Sequence, residues 1–75
     1  MAAQQFSGVS LRRTRVEAGQ SPERLALAVG RSVYSIHEYE RGRARPSVTV
    51  LGRLAEALGC SVDDLFGDEV QADAG

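Results

Sequence analysis

A chain of 75 residues is long enough for one small domain, and its nine basic and ten acidic side chains give a formal net charge of −1. With 43% hydrophobic residues, one cysteine, no long apolar run and no signal-peptide pattern, nothing marks it as membrane-bound, secreted or disulfide-stapled, so a cytoplasmic helical domain is expected. The near-neutral total speaks against nucleic acid, but the distribution does not: residues 1–45 hold eight arginines against four glutamates, a sum of +4, and residues 46–75 hold Arg53 against six acids, a sum of −5.

Residues 1–6 carry no periodic pattern and read as a flexible N-terminal arm. Ser7 or Ser10 can cap a first helix in which Leu11, Arg15 and Ala18 follow at i, i+4 and i+7 before Gly19 ends it. Arg15 thus sits on an apolar face, where it either pairs with a carboxylate, Glu40 being the candidate, or snorkels to water. A second helix starts at Ser21, with Pro22 at its first position, and buries Leu25, Ala26 and Val29 on one side; Leu27 falls outside that stripe. Gly30 supplies the positive φ of a tight turn, and Ser32 caps a third helix running to Arg41 with Ile36 and Tyr39 inward. Ala26 is small enough to let these two helices cross closely.

Arg43-Ala44-Arg45-Pro46 then forms a basic turn, its proline disfavouring helix at Arg45. Ser47 caps a fourth helix whose stripe of Val50, Leu51, Leu54, Ala55 and Leu58 is the strongest amphipathic pattern in the chain, and Gly59 closes it. Ser61-Val62-Asp63-Asp64 has capping-box spacing and announces a short fifth helix carrying Val62, Leu65 and Phe66. Residues 67–75 are acidic and small and read as a disordered tail. The expectation is an all-α domain of five helices over residues 7–66, without strands.

The runs LRRTRVEAG, SPERLALAVGRSVYSIHEYERGRARP and SVTVLGRLAEALGCSVDDLF resemble the lambda-repressor-like, Cro/XRE-type helix-turn-helix family over residues 9–66. A bare helix-turn-helix match is unspecific. Arg15, Leu25-Ala26, Gly30, Ser32, Ile36, Glu40-Arg41-Gly42, Pro46, Leu51, Ala55, Leu58-Gly59 and Leu65 in this order are specific. The resemblance implies that Arg15 pairs with Glu40, that helices 2 and 3 form the helix-turn-helix, and that the protein binds double-stranded DNA as a transcription regulator, repressor-like, usually as a two-fold dimer on an inverted repeat. Ser32 to Arg41 is then the recognition helix in the major groove, with Val33, Tyr34, His37 and Glu38 facing bases and Ser35 at the margin. Val33 can pack on a thymine methyl, and Glu38 can accept from a cytosine amino group. Arg31, Arg43 and Arg45 flank that helix as phosphate contacts, and Ser21 with the backbone amides of Glu23 and Arg24 forms another. Two positions depart from the family pattern: Pro22 stands where a glutamine is typical, and Arg31 replaces what is often an apolar residue.

The competing expectation is a protein-interaction module that keeps the fold without DNA binding, which Pro22, Glu38 and the acidic second half make conceivable. An enzyme is not expected, since no nucleophile stands with a base, no carboxylate pair falls in a predicted cleft and no phosphate loop is present. No cofactor is implied. No metal site is implied either, because His37 and Cys60 lack zinc-site spacing, and Cys60 reads as a small hydrophobe. Val62, Leu65 and Phe66 close the core of a five-helix domain, but Phe66 and Val70 exceed what so short a helix can bury within one chain, which suggests that part of this C-terminal helix (Val62, Leu65, Phe66) forms a homodimer contact.

Overall fold

The computed structural model describes residues 4–68. Residues 1–3 and 69–75, including Val70 and most of the expected acidic tail, lie outside the described residues.

Four helices form where the sequence places their starts: α1 (Gly8–Glu17), α2 (Pro22–Val29), α3 (Val33–Glu40) and α4 (Val48–Leu58). Each begins with the same device. Ser7, Ser21, Ser32 and Ser47 have extended backbones, and each Oγ accepts the N–H three residues on, from Ser10, Arg24, Ser35 and Val50, at 3.0–3.2 Å. Each cap is worth about 1 kcal/mol to a helix too short to stand alone. Of the two candidate caps for α1, Ser7 is the one used; Ser10 is buried within the helix and donates its hydroxyl to the carbonyl of Phe66 at 3.4 Å. Ala18 is the exposed C-cap of α1, not part of its inner face.

The core is built from all four helices. Leu11, Leu25, Ile36, Leu54 and Leu65 have no exposed surface, and Val29, Ala26, Tyr39, Ala55 and Leu58 surround them. Helix α2 packs on both α3 and α4, while α1 packs on α3 and on the segment after α4.

That last segment departs from the five-helix expectation. Val62–Leu65 makes a single 3₁₀ turn, and among the described residues four helices are α-helical. The Asp64 carboxylate accepts the Ser61 N–H at 3.0 Å, so the acidic half of the anticipated box is in place. Helix stops there because Phe66 turns extended and pairs with the start of the chain. Strands β1 (Gln4–Phe6) and β2 (Phe66–Asp68) form an antiparallel ladder with Gln4 opposite Asp68, Gln5 opposite Gly67 and Phe6 opposite Phe66. The expectation of no strand is therefore corrected, and the boundaries of arm and tail move outwards to leave Gln4–Phe6 and Gly67-Asp68 inside the fold. The driving contact is apolar: Phe6 lies edge-on to Tyr39, ring centroids 6.4 Å apart, where the two rings cover the side of the core.

Two contacts lock α1 to α3. A Cβ on Gly8 would run into the carbonyl oxygens of Tyr39 and Glu40, so glycine alone permits the crossing. At the other end of α1, Arg15 Nε donates to Glu40 Oε2 at 2.6 Å and Nη2 to Oε1 at 3.3 Å, while Nη1 donates to the Gln20 carbonyl at 2.9 Å. Their side chains are 10% and 6% exposed. The pair excludes the snorkelling alternative.

Glu40→Ala leaves a buried guanidinium without its anion and should cost about 3–5 kcal/mol in urea unfolding. Gly8→Ala should cost about 1–3 kcal/mol by forcing α1 off α3. Wild-type midpoints for either variant would show that the α1–α3 junction is not what holds the fold.

Candidate nucleic-acid interface

The α2–turn–α3 unit is short and closely specified. Gly30 ends α2 at φ 72°, ψ 32°, and the Arg31 N–H returns to the Ala26 carbonyl at 3.0 Å, which reverses the chain within two residues of Ser32. Ser32 Oγ accepts from the Ser35 N–H and donates to Ser35 Oγ at 3.1 Å, ordering the first turn of α3.

On α3 the inward positions are Val33, Ile36, Tyr39 and Glu40; Tyr34, Glu38 and Arg41 follow at i, i+4 and i+7 on the other side, where Tyr34 and Arg41 are exposed and Glu38 is half-buried. The four expected base-facing residues therefore separate. Tyr34 is 72% exposed and projects freely. Val33 is half-buried and packs against the core, which its position three residues before Ile36 already signals. His37 is half-buried. The Glu38 side chain retains 15% exposure, and its Oε2 lies 4.0 Å from Arg43 Nη1. Its carbonyl also accepts the Arg43 and Ala44 N–H groups at 2.9 and 3.3 Å, so Glu38 anchors the loop that follows α3.

The expected phosphate contacts are mostly free. Glu23, Arg24, Arg31, Arg43 and Arg45 are exposed, and Ser21 is half-buried. One amide is not available: the Arg24 N–H is already taken by Ser21 Oγ, because capping α2 satisfies it. Arg41, not singled out from the sequence, is exposed at the end of α3 beside Arg43 and Arg45, and its place seven residues after Tyr34 is the signal that would have found it. Arg45 Nη2 donates to Gln5 Oε1 at 2.9 Å, and the following Pro46 is buried. The first turn of α1 and β1 form a groove against this loop, with Phe6, Gly8, Arg41 and Arg45 among its walls.

Elsewhere the surface offers less chemistry. Burial, and then the Asp64 carboxylate, push the Cys60 thiol up, which disfavours the nucleophilic thiolate. Among the described residues no three His, Cys, Asp or Glu side chains group closely enough to hold a metal ion. Leu65 is fully buried and Phe66 packs on the core, because β1 covers this end; of the trio expected to dimerise, only Val62 is left exposed, at 36%.

A basic, exposed surface assembled on a two-helix turn defines a helix-turn-helix domain, and residues 8–66 match the family model of that description. The chain belongs to the helix-turn-helix family, in its Cro/XRE-type, lambda-repressor-like branch. It is 36% identical over 66 residues to an uncharacterized transcriptional regulator in the ATPase CF(0) region of Rhodospirillum rubrum, covering 88% of this chain and 61% of that protein. The clp gene regulator ClgR of Corynebacterium glutamicum is 38% identical with a TM-score of 0.74, covering 77% of this chain and 62% of that one. The P22 c2 repressor, solved in complex with a synthetic operator, is 33% identical with a TM-score of 0.75, covering 81% and 92%. The chain thus spans about three fifths of the length of the first two relatives.

The two neighbouring members of the expected base-facing set, Val33 and Tyr34, should respond differently to truncation. Val33→Ala should lower stability by about 1 kcal/mol through lost packing, whereas Tyr34→Ala should stay within about 0.5 kcal/mol of wild type. Thermal melts of the two variants check this, and equal losses would contradict the assignment of Val33 to the inner face.

Proposed function

We propose that this chain binds double-stranded DNA sequence-specifically as a transcription regulator of the repressor type, with α3 in the major groove. What carries the proposal is that exposed arginines flank the recognition helix at both ends, Arg31 before it and Arg41, Arg43 and Arg45 after it, and that its most exposed aromatic is Tyr34. The relatives add weight: two are described as regulators and one as a repressor bound to an operator. An interaction module without DNA binding draws no support from them.

In this arrangement the arginines neutralise phosphates and set the register, and the outer face of α3 reads the bases. Tyr34 offers a hydroxyl to a base edge or a phosphate. Glu38 accepts from a cytosine amino group, with Arg43 beside it to offset the repulsion between its carboxylate and the backbone. Val33 reaches DNA only with the fraction of its surface left outside the core. His37 stands at the edge of the same face. At the start of α2, the phosphate contact is made by the Ser21 hydroxyl, the Glu23 N–H and the Arg24 guanidinium rather than the Arg24 amide.

The regulator acts in the cytoplasm, and among the described residues no helix is long and apolar enough to cross a membrane. Two copies bind an inverted repeat with half-sites about 34 Å apart on one face of the duplex. The contact between copies is not the Val62, Leu65, Phe66 face as a whole, since Leu65 is spent on the core.

Selection from a random duplex library should enrich an inverted repeat, and binding to it should weaken with salt with a log–log slope of about −0.9 per phosphate contacted. Arg43→Ala should weaken binding to every sequence alike, whereas Tyr34→Ala and Glu38→Gln should change which base is preferred. A folded protein that enriches nothing would overturn DNA binding, and uniform losses in all three variants would overturn the division between reading and positioning residues.

A further inference from the structure

Three arginines around α3 have three kinds of partner. Arg15 is buried against the Glu40 carboxylate, which cancels its charge and makes it structural. Arg43 lies 4.0 Å from the Glu38 carboxylate, so part of its field is offset. Arg45 is hydrogen-bonded instead to a neutral amide, the side chain of Gln5, at 2.9 Å and forty residues away in sequence.

We infer that Gln5 is a positioning residue for DNA binding: it holds the Arg45 guanidinium in place without neutralising it. The inference rests on the reading of Arg45 as a phosphate contact. An exposed arginine normally loses its rotamer freedom when it grips a phosphate, and a preformed hydrogen bond removes part of that loss beforehand. The guanidinium carries five N–H donors, and Gln5 accepts one of them. The donors left over can form a charge-assisted pair with phosphate.

Both ends of this link are themselves fixed. Gln5 sits mid-strand in β1, opposite Gly67, so its backbone is held by β2. Arg45 precedes a buried proline, which keeps its backbone out of the helical region. A glutamate at position 5 would grip the guanidinium more strongly but cancel its charge. An alanine would keep the charge but release the side chain. Glutamine alone of the three does both tasks. The terminal sheet, which covers one side of the core through Phe6 and Phe66, thereby acquires a second role at the interface.

Affinity for the enriched duplex at several salt concentrations, measured on the full chain and its variants, tests this. Gln5→Ala should weaken binding about three- to tenfold, the scale of one exposed hydrogen bond, with the salt slope unchanged. Arg45→Ala should weaken binding and lower the slope by about 0.9, and the double variant should bind no more weakly than Arg45→Ala alone. Gln5→Glu should weaken binding and lower the slope, because its charge offsets the arginine. A wild-type affinity for Gln5→Ala overturns the inference while leaving Arg45 as a phosphate contact. So does a full Gln5→Ala loss that persists in the Arg45→Ala background, the signature of a sheet whose disruption acts elsewhere. An Arg45→Ala variant that binds like wild type overturns the reading of Arg45 itself.

Discussion

The guanidinium of Arg15 is the point from which the arrangement of this small domain is fixed. It is held by α1, closes the α1–α2 connection through the Gln20 carbonyl, and binds the last residue of α3 through Glu40. With side-chain exposures of 10% and 6%, neither partner has water to fall back on, so the pair is strong only as a unit. Gly8 works at the other end of the same crossing, letting α1 approach the α3 carbonyls to a distance that any Cβ would forbid. The C-terminus of α3 is therefore pinned twice. The loop from Arg41 to Pro46 starts from that pinned end, and the placement of its arginines inherits the rigidity.

The same pairing shapes the electrostatics. Two of the four glutamates in the basic part of the chain are engaged with arginine: Glu40 fully, and Glu38 at longer range. A net charge of −1 conceals this, because the acids that balance the total are concentrated in residues 46–75. Formal charge summed over a chain is a poor guide to partners where sign is segregated along the sequence and individual acids are already paired.

The sequence was most legible where local chemistry alone decides the structure. Serine caps at Ser21, Ser32 and Ser47, the left-handed glycines Gly30 and Gly59, and the stripe through Val50, Leu54 and Leu58 are all set by neighbours within a turn or two. The Arg15–Glu40 pair was reachable because an arginine on an apolar face demands an anion and Glu40 ends the helix beside it, while the resemblance to a family favoured pairing over snorkelling. The terminal sheet was not legible. Gln4–Phe6 and Phe66–Asp68 are too short and too mixed to show a period of two, and each becomes a strand only because the other lies beside it. The anticipated fifth helix failed for the same reason, with a long-range partner overriding a good local start signal. Within the site, the exposed arginines were legible as charge and Tyr34 as an unexplained aromatic. The inward turn of Val33 and the link from Arg45 to Gln5 depend on packing between distant segments, which no single stretch of sequence records.

The pairing of Phe6 with Phe66 turns almost the whole domain into a closed ring. Bringing together the ends of an unstructured chain of about sixty residues costs about 3.6 kcal/mol, more than three short rungs return. Once the four helices are assembled the ends already lie side by side, and most of that cost has been met by the core. Ring closure is therefore a late event in folding and an early one in local opening. The amides of Gln5 and Gly67 should therefore exchange with solvent through openings that leave the helices intact, and each such opening releases the Arg45 side chain from Gln5.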